Sequence, residues 1–533
     1  MKIIVIGSGG REHAICVQLA KSSLVSEIVC VPGNGGTYSE GKCRNVKPAT
    51  SGIEAMVDVA VAEKCDMAVV GPEDPLAFGI ADLLWAKGIP TVGPCKAAAQ
   101  LEASKDLAKS FMKKYGVACA ASETFENVED AHAYVDKMGA PIVIKADGLA
   151  AGKGVVVASS LEMAHKAIDD FMKDGTLGAA GNRVVIEEYL QGVEISILSA
   201  VSVTPELAKE GKAAIIPFKT ARDHKRLLDG AKGPNTGGMG AISPVADVTA
   251  DQLVKFNDDI LQPTLKGLIE EGFDYRGFIF FGLMLTKNGP KLLEYNVRLG
   301  DPETQAVLPL MDFDFAAMCK SITEGTVKNF DFKWKKGFVC APVIVSEGYP
   351  GSYKKGCVMT VNKAALADVD ATMYVAGAQF DEKENVLKTS GGRVVAVSAY
   401  ADSFDEAWKK AYKGIEAVCF EGMFYRKDIL AELGIEVPTT WDEVKVVMSV
   451  LAKNQMEFGM LPSEQVFAML LYQNGGQYYN EGGVSSALDS DIAVNTFKEY
   501  CEYYTDYGLD KVTSVEERFR TGECPIIIAD YTV

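Results

Sequence analysis

Apolar and polar positions along the first hundred residues repeat one unit: a short apolar run, a glycine-rich turn and a helical pattern. Lys2 to Ile6 runs into GSGGREHA, Ile15 and Leu19 then recur at helical spacing, and a second strand is predicted over Glu27 to Val31. Met67 to Val70 ends in GPEDPL, and Pro90 to Val92 ends in Gly93 and Pro94. Strands alternating with helices predict βαβ units in a parallel sheet, with ligand loops beyond the strand ends. The stretch AAAQLEASKDLAKSFMKKYG is predicted as a helix that carries Leu101, Leu107 and Phe111 inward, with Lys105 on its solvated side. Further strands are predicted at Val143–Ile144, Val155–Val157, Val184–Ile186 and Lys291–Tyr295. Gly337 to Ala399 reads as a small β-rich segment, followed by a helix over Phe404 to Ala417 and closing at CFEGMFYRKDI.

Chemistry concentrates in the turns. In KADGLAAGKGVVVA, Gly148, Gly152 and Gly154 free the backbone, and Lys145 and Lys153 supply positive charge. This reads as a phosphate-holding hairpin or as a solvated surface turn; it is not a P-loop, because Gly154 stands where a Ser or Thr should follow the lysine. Gly7, Gly9 and Gly10 suit an anion at a helix N-terminus, yet Glu12 replaces the third glycine of the dinucleotide fingerprint and the second strand runs into PGNGG. Glu187, Glu188 and Glu194 bracket a turn, as ribose acceptors or as solvated strand-edge acids. Arg222 to Gly240 joins four cationic or potentially cationic residues to a glycine-rich loop. Glu294 and Asn296 alternate onto one strand face as oxygen ligands of the kind Mg²⁺ takes, followed by Arg298, Asp301 and Glu303.

Composition narrows the classes. With 533 residues, 48% hydrophobic and 24% charged, the chain is ordinary globular material for three or four domains, and no apolar run reaches membrane length. The opening MKIIVIGSGG is a strand and turn without signal-peptide layout. A net charge of −18 disfavours nonspecific nucleic-acid binding. Twelve cysteines without a C-x-x-C pair fit reduced cytosolic thiols better than disulfides or a zinc site. Charge is uneven: from Gly422 onward there are 8 Lys/Arg against 18 Asp/Glu, and 9 of the 20 tyrosines, which marks a boundary.

Taken together, GSGGREHA, PGNGG, VGPEDPL, QLEASKDLAK, KADGLAAGKGVVVA, DHKR, GPNTGGMGA, EYNVRLGDPETQ, SEGYPG and GGRV resemble, in order, the phosphoribosylamine–glycine ligase family of ATP-grasp enzymes. The resemblance implies an α/β fold: a Rossmann-like preATP-grasp domain at 1–103, an ATP-grasp domain at 104–328 with a lid subdomain about 120–192, and a β-rich domain at 329–429. It implies ATP with Mg²⁺ or Mn²⁺, and glycine and 5-phosphoribosylamine as partners. It implies no nucleic acid, membrane or obligate protein partner, and a cytoplasmic place in purine synthesis. Another ATP-grasp carboxylate–amine ligase is the alternative.

By that resemblance Lys105, Lys145, Gly148, Gly152, Lys153, Gly154, Glu187, Glu188 and Glu194 hold the nucleotide, and Glu294 and Asn296 the metal. Arg298, Asp301 and Lys225 would be catalytic. The substrates would meet Gly9, Gly10, Arg11, Glu12, Asn34, Gly35, Pro72, Glu73, Asp223, Asn235, Thr236, Gly237, Gly238, Met239, Gly240 and Gly300. FIFFG, Phe278 to Gly282, departs from the family's Leu-Tyr-x-Gly.

The family stops shortly after Tyr425 to Ile429, whereas this chain continues. YRKDILAELGIEVPTTWDE, with a capping box from Thr440 to Glu443, LLYQNGGQYYNEGG and FRTGECPIIIADYT resemble part of an extracellular sugar-type solute-binding protein of ABC transporters. The expectation is a chimera joined at FYRKDI by sequence misassembly rather than natural fusion, with an incomplete appendage at 430–533 whose last strand, Pro525 to Ala529, has an unpaired edge.

Overall fold

Strand β1 (Lys2–Gly7) pairs in parallel with β2 (Glu27–Pro32) on one side and β4 (Met67–Val70) on the other. Ile3 to Ile6, Ile28 to Val31 and Met67 to Val70 are all buried, as expected of parallel strands covered on both faces. β3 (Cys43–Asn45) and β5 (Thr91–Pro94) complete the parallel part. The computed structural model describes residues 1–148, 154–173, 176, 178–228, 232–424, 441–453, 458–460, 462–480, 485–506, 509 and 526–528.

The turn after β1 explains the broken dinucleotide fingerprint. Helix α1 (Gly10–Lys21) starts at Gly9, whose N–H donates to the Glu12 carboxylate at 2.5 Å. Glu12 is buried and wedges between Gly7 and Gly71: a Cβ at either glycine would come within 2.4 Å or 2.0 Å of its side chain. A third glycine would leave that space empty.

β5 also pairs antiparallel with Tyr275–Thr286, which joins the parallel strands to an antiparallel set. The hydrogen-bonded order from there is β10 (Val193–Val203), β11 (Ala214–Asp223), Gly240–Ser243, Phe338–Ser346, Arg393–Ala401 and Ala371–Val375, with Gly289–Asn296 also on Tyr275–Thr286. A separate sheet holds β6 (Ser122–Phe125), β9 (Val184–Glu188), β7 (Ile142–Ala146) and β8 (Val155–Ala158) in that order. Helices Val128–Met138 and Leu161–Met172 pack on it around Val135, Ile144, Ile168 and Ile186.

One sequence expectation needs correction. The long helix is two, Lys96–Ala103 and Lys105–Tyr115, because Ser104 caps the second by accepting the Leu107 N–H at 3.1 Å. Its buried stripe is Ala108, Phe111 and Met112; Leu107, in the first turn, is 38% exposed.

By contacts the chain divides into Met1–Leu227 with Pro234–Tyr425, and Leu228–Gly233 with the rest from Arg426. In the second unit, helices Trp441–Lys453, Glu464–Gln473 and Asp491–Thr505 surround Leu451, Leu470 and Tyr503. Ile526–Ile528 pairs in parallel with Phe458–Met460, so one side of that strand is covered; the expected cap at Thr440 lies outside the described residues.

Candidate active site

A cavity of about 270 Å³ opens where the parallel strands, the four-stranded sheet that holds β7 and β9, and the antiparallel set meet. Its walls bring together Glu73, Lys105, Lys145, Gly148, Gly154, Glu187, Asp223, Lys225, Thr236, Gly237, Glu294, Asn296, Arg298 and Asp301, residues spread over 229 positions. Strand pleat explains much of this. Lys145 on β7 and Glu187 on β9 point inward, whereas Glu188, the next residue, is exposed and accepts the Ala121 N–H at 2.9 Å.

Cations line one wall. Buried Lys145 and Lys109 stand 2.8 and 2.9 Å from the Glu187 carboxylate. The Glu187 carboxylate is thus shared by two buried ammonium groups at the cavity wall. Lys105 Nζ donates to the Gly148 carbonyl at 2.9 Å. Burial, helped by the neighbouring Lys145 charge, outweighs Glu294 and lowers the Lys105 pKa. Lys225 reaches Glu194 at 2.5 Å. Gly152 and Lys153 lie outside the described residues.

Acids stand among these cations. Glu294 is held ionised below its ordinary range: burial opposes this, but Lys225, Lys145, Lys105 and Arg298 outweigh it. Glu294 and Asn296 project from Gly289–Asn296 and offer hard oxygen donors of the kind that hold a divalent ion beside phosphates. Arg298 bridges Glu102 at 2.8 Å and Glu73 at 3.3 Å. Glu102 also accepts the Val297 N–H at 2.7 Å, but burial pushes its pKa up to about 7 despite the nearby Arg298.

A pH dependence follows from Glu102. Its folded pKa lies above the ordinary value of 4.5, so between 4.5 and about 7 the folded state keeps a proton that the unfolded chain has released. Stability therefore falls as pH rises through that window, by ~3 kcal/mol for this group. Glu303, also raised to about 7 by burial and the Asp223 charge, adds to the same slope. Glu102→Gln should flatten the dependence, so its denaturation midpoint relative to the wild type rises from pH 5 to pH 8. An unchanged difference between those two pH values contradicts the assignment.

In the cavity wall, Asp301 ties three elements together. Its carboxylate accepts the Arg11 N–H at 3.1 Å and the Gln305 amide at 3.0 Å, and lies 3.5 Å from Arg393. Arg393 also donates to the carbonyls of Gly237 and Asp301 at 2.6 and 2.8 Å, and Tyr349 Oη accepts the Gly237 N–H at 2.9 Å. These bonds fix the turn in the Asn235–Gly240 loop.

Several expected substrate residues lie outside this cavity's lining and make frame contacts. Asn34 is fully buried: its side-chain oxygen accepts the N–H groups of Gly36 and Thr37, and its amide donates to Ser8, Gly9 and Val375. A Cβ at Gly35 would strike Leu387, and one at Gly238 would strike Pro302. Arg11 pairs with Glu12 and donates to the Leu299 carbonyl at 3.1 Å. Gly9, Gly10, Pro72, Glu194, Asn235, Met239, Gly240 and Gly300 also lie outside the lining. Glu102, Lys109 and Arg393 were not singled out from sequence; Lys109 was legible only as the position one helical turn past Lys105.

Comparison with known proteins gives this geometry a family. The profiles for the N domain, ATP-grasp (A) domain and C domain of phosphoribosylglycinamide synthetase match residues 1–102, 103–304 and 339–432. Phosphoribosylamine–glycine ligase of Clostridium acetobutylicum is 48% identical over 429 residues, covering 80% of this chain and 99% of that protein. The crystal structure of the Thermotoga maritima ligase superposes with a TM-score of 0.68 at 33% identity, over 80% of this chain and all of that one. The biotin carboxylase domain of Hydrogenobacter thermophilus 2-oxoglutarate carboxylase, at 16% identity and TM-score 0.59 over 79% of this chain and 91% of that one, shares the fold alone. Over about 430 residues, with N, ATP-grasp and C domains in order, the chain belongs to the phosphoribosylamine–glycine ligase family.

Proposed function

We propose that residues 1–429 ligate glycine to 5-phosphoribosylamine with ATP as phosphoryl donor, giving glycinamide ribonucleotide, ADP and phosphate in de novo purine biosynthesis. The observation that carries this reading is the convergence of Lys105, Lys145 and Lys225 on Glu294 and Asn296 in one cavity. Transfer of a phosphoryl group is mostly positioning and charge stabilisation, and those are the groups it needs.

The γ-phosphoryl group passes to a carboxylate oxygen of glycine, and glycyl phosphate forms as ADP leaves. The amine of 5-phosphoribosylamine then attacks the glycyl carbonyl carbon; the C–N bond forms as phosphate departs, and the amine proton goes to phosphate or solvent. Lys105 and Lys145 hold the phosphates, with Gly148 and Gly154 beside them; Gly152 and Lys153 join the nucleotide site by the family resemblance. Glu187, with Lys109 beside it, lies in the cavity wall where a nucleobase would pack, and Glu188 and Glu194 extend the nucleotide site along the strand and turn. Glu294 and Asn296 hold Mg²⁺ or Mn²⁺, which when bound neutralises the phosphates. Arg298, Asp301 and Lys225 orient the glycine carboxylate and the amine. The two glycine loops, Gly9 to Glu12 with Asn34 and Gly35, and Asp223 with Asn235 to Gly240, together with Pro72, Glu73 and Gly300, form the ribosylamine side. No nucleophilic side chain is needed. ADP release should require both glycine and 5-phosphoribosylamine; ADP formation indifferent to glycine removes this reading in favour of another ATP-grasp ligase.

The domain limits follow as 1–103, 104–328 and 329–429. A cytoplasmic enzyme without nucleic-acid or obligate protein partner fits the net charge of −18 and, among the described residues, the lack of any helix long and apolar enough to cross a membrane. We further propose that 430–533 is a solute-binding-protein-like segment fused at FYRKDI. Its support is that 429 matched residues already span 99% of the Clostridium ligase. Limited proteolysis of the full chain should cut between residues 430 and 440 and leave an active ligase body. A tail that stays attached under conditions that degrade unfolded protein contradicts separate folding, and an unbroken long read across codons 400 to 450 with a matching translated product rules out misassembly.

A further inference from the structure

Away from the cavity, three thiols converge on the face of the parallel sheet that α1 covers. Cys16 is on α1, Cys30 on β2 and Cys43 on β3, and their Sγ atoms all lie within 4.8 Å of one another, with Cys16 and Cys30 at 3.5 Å. Register places them. Cys43 stands beside Ile28 in the parallel β2–β3 pair, so it shares a face with Ile28 and, two residues on, with Cys30. Ile15, Cys16 and Leu19 of α1 lie in the same apolar cluster as Ile28 and Cys30. Chain separations of 14 and 13 residues gave no sign of this in the sequence, which showed no metal-ligand spacing.

A buried cysteine ordinarily packs as a small apolar side chain. Three sulfurs in one group, from a helix and two strands, are better matched to a ligand that sulfur binds. Zn²⁺ with thiolates at ~2.3 Å in a tetrahedron sets sulfurs about 3.8 Å apart, inside the spread seen here. Charge favours a divalent ion: three thiolates around a monovalent ion would leave two negative charges in an apolar cluster, and a divalent ion leaves one. Cys16 and Cys30 are buried and Cys43 is half-buried, so the approach and a fourth ligand position lie on the Cys43 side.

We propose that Cys16, Cys30 and Cys43 form a site for a divalent thiophilic ion of the zinc class, with three protein thiolates and one open position. Each ligating thiol releases its proton to solvent, and no oxidant is involved. The site abuts the Gly33–Thr37 turn: Asn45, beside Cys30 in register, accepts the Thr37 hydroxyl at 2.7 Å, and Thr37 in turn donates to Asn34. An ion at the thiols therefore braces the base of that turn.

The test uses the full chain, metal-free and reduced, titrated with Cd²⁺ as a spectroscopic substitute for Zn²⁺. Expected is an ultraviolet sulfur-to-cadmium charge-transfer band that saturates at one ion per chain, is displaced by Zn²⁺, and is lost in Cys43→Ala and Cys16→Ala. Should those variants not fold, wild-type alkylation decides: Zn²⁺ should slow labelling of Cys43 and leave the exposed Cys419 unchanged. No saturable one-to-one band, a band undiminished in both folded variants, equal labelling with and without Zn²⁺, or a Cys16–Cys30 disulfide that persists in the presence of the ion overturns the proposal.

Discussion

Lys145→Ala is expected to lower kcat by about 10²–10³-fold, a loss of roughly 3–4 kcal/mol of transition-state stabilisation, comparable to removing one preorganised donor from a site of developing charge. Lys145 comes from β7, an inner strand of its four-stranded sheet, is buried, and stands 2.8 Å from Glu187 while also reaching the Leu293 carbonyl at 3.4 Å. Its ammonium is therefore held in place before any phosphate arrives. The loss should fall on kcat more than on the KM for ATP, because a fixed cation is most useful where charge builds during transfer. Removing it does not strand Glu187, since Lys109 remains 2.9 Å away, so the fold should survive. Steady-state kinetics of the variant, with circular dichroism to confirm folding, checks this. Near-normal turnover places the transferred phosphoryl group elsewhere.

Glu294→Gln is expected to raise the Mg²⁺ concentration for half-maximal rate by about tenfold or more, the scale on which metal affinity responds even to outer ligand partners, and to lower kcat with it. Glu294 is the anion that faces Lys225, Lys145, Lys105 and Arg298. Replacing it removes a ligand and also an electrostatic counterweight, and the two roles separate experimentally. If Glu294 holds the ion, metal-free ATP should bind the variant at least as tightly as the wild type, since a carboxylate near the phosphates is gone. If the Mg²⁺ requirement stays put while kcat falls, Glu294 acts by positioning the lysines and the metal assignment fails. Magnesium titrations of rate and calorimetry with metal-free ATP give the two readings.

Much of the local chemistry was legible in the residues. The apolar runs before GSGGREHA and GPEDPL did become parallel strands, because strands buried on both faces must be apolar throughout. Glu294 and Asn296 both reach the cavity while Tyr295 between them packs into the core, as alternation along a strand requires. Leu107 was misjudged because spacing alone does not reveal that Ser104 restarts the helix. The substrate-loop glycines and Asn34 were recognisable as necessary, but their place in the frame was not, because it depends on neighbours such as Val375 and Pro302 that are distant in the chain.

By itself, then, the sequence determined which runs become strands and helices and which turns need glycine, since these rest on local periodicity and side-chain size, while the order of domains came through the family resemblance. Only the tertiary structure decided which charges meet. It set Lys109 beside Lys145 on Glu187, put Arg298 between Glu73 and Glu102, and gathered Cys16, Cys30 and Cys43. Each of those meetings depends on register and helix placement across the sheet, and burial then sets the charge each group carries.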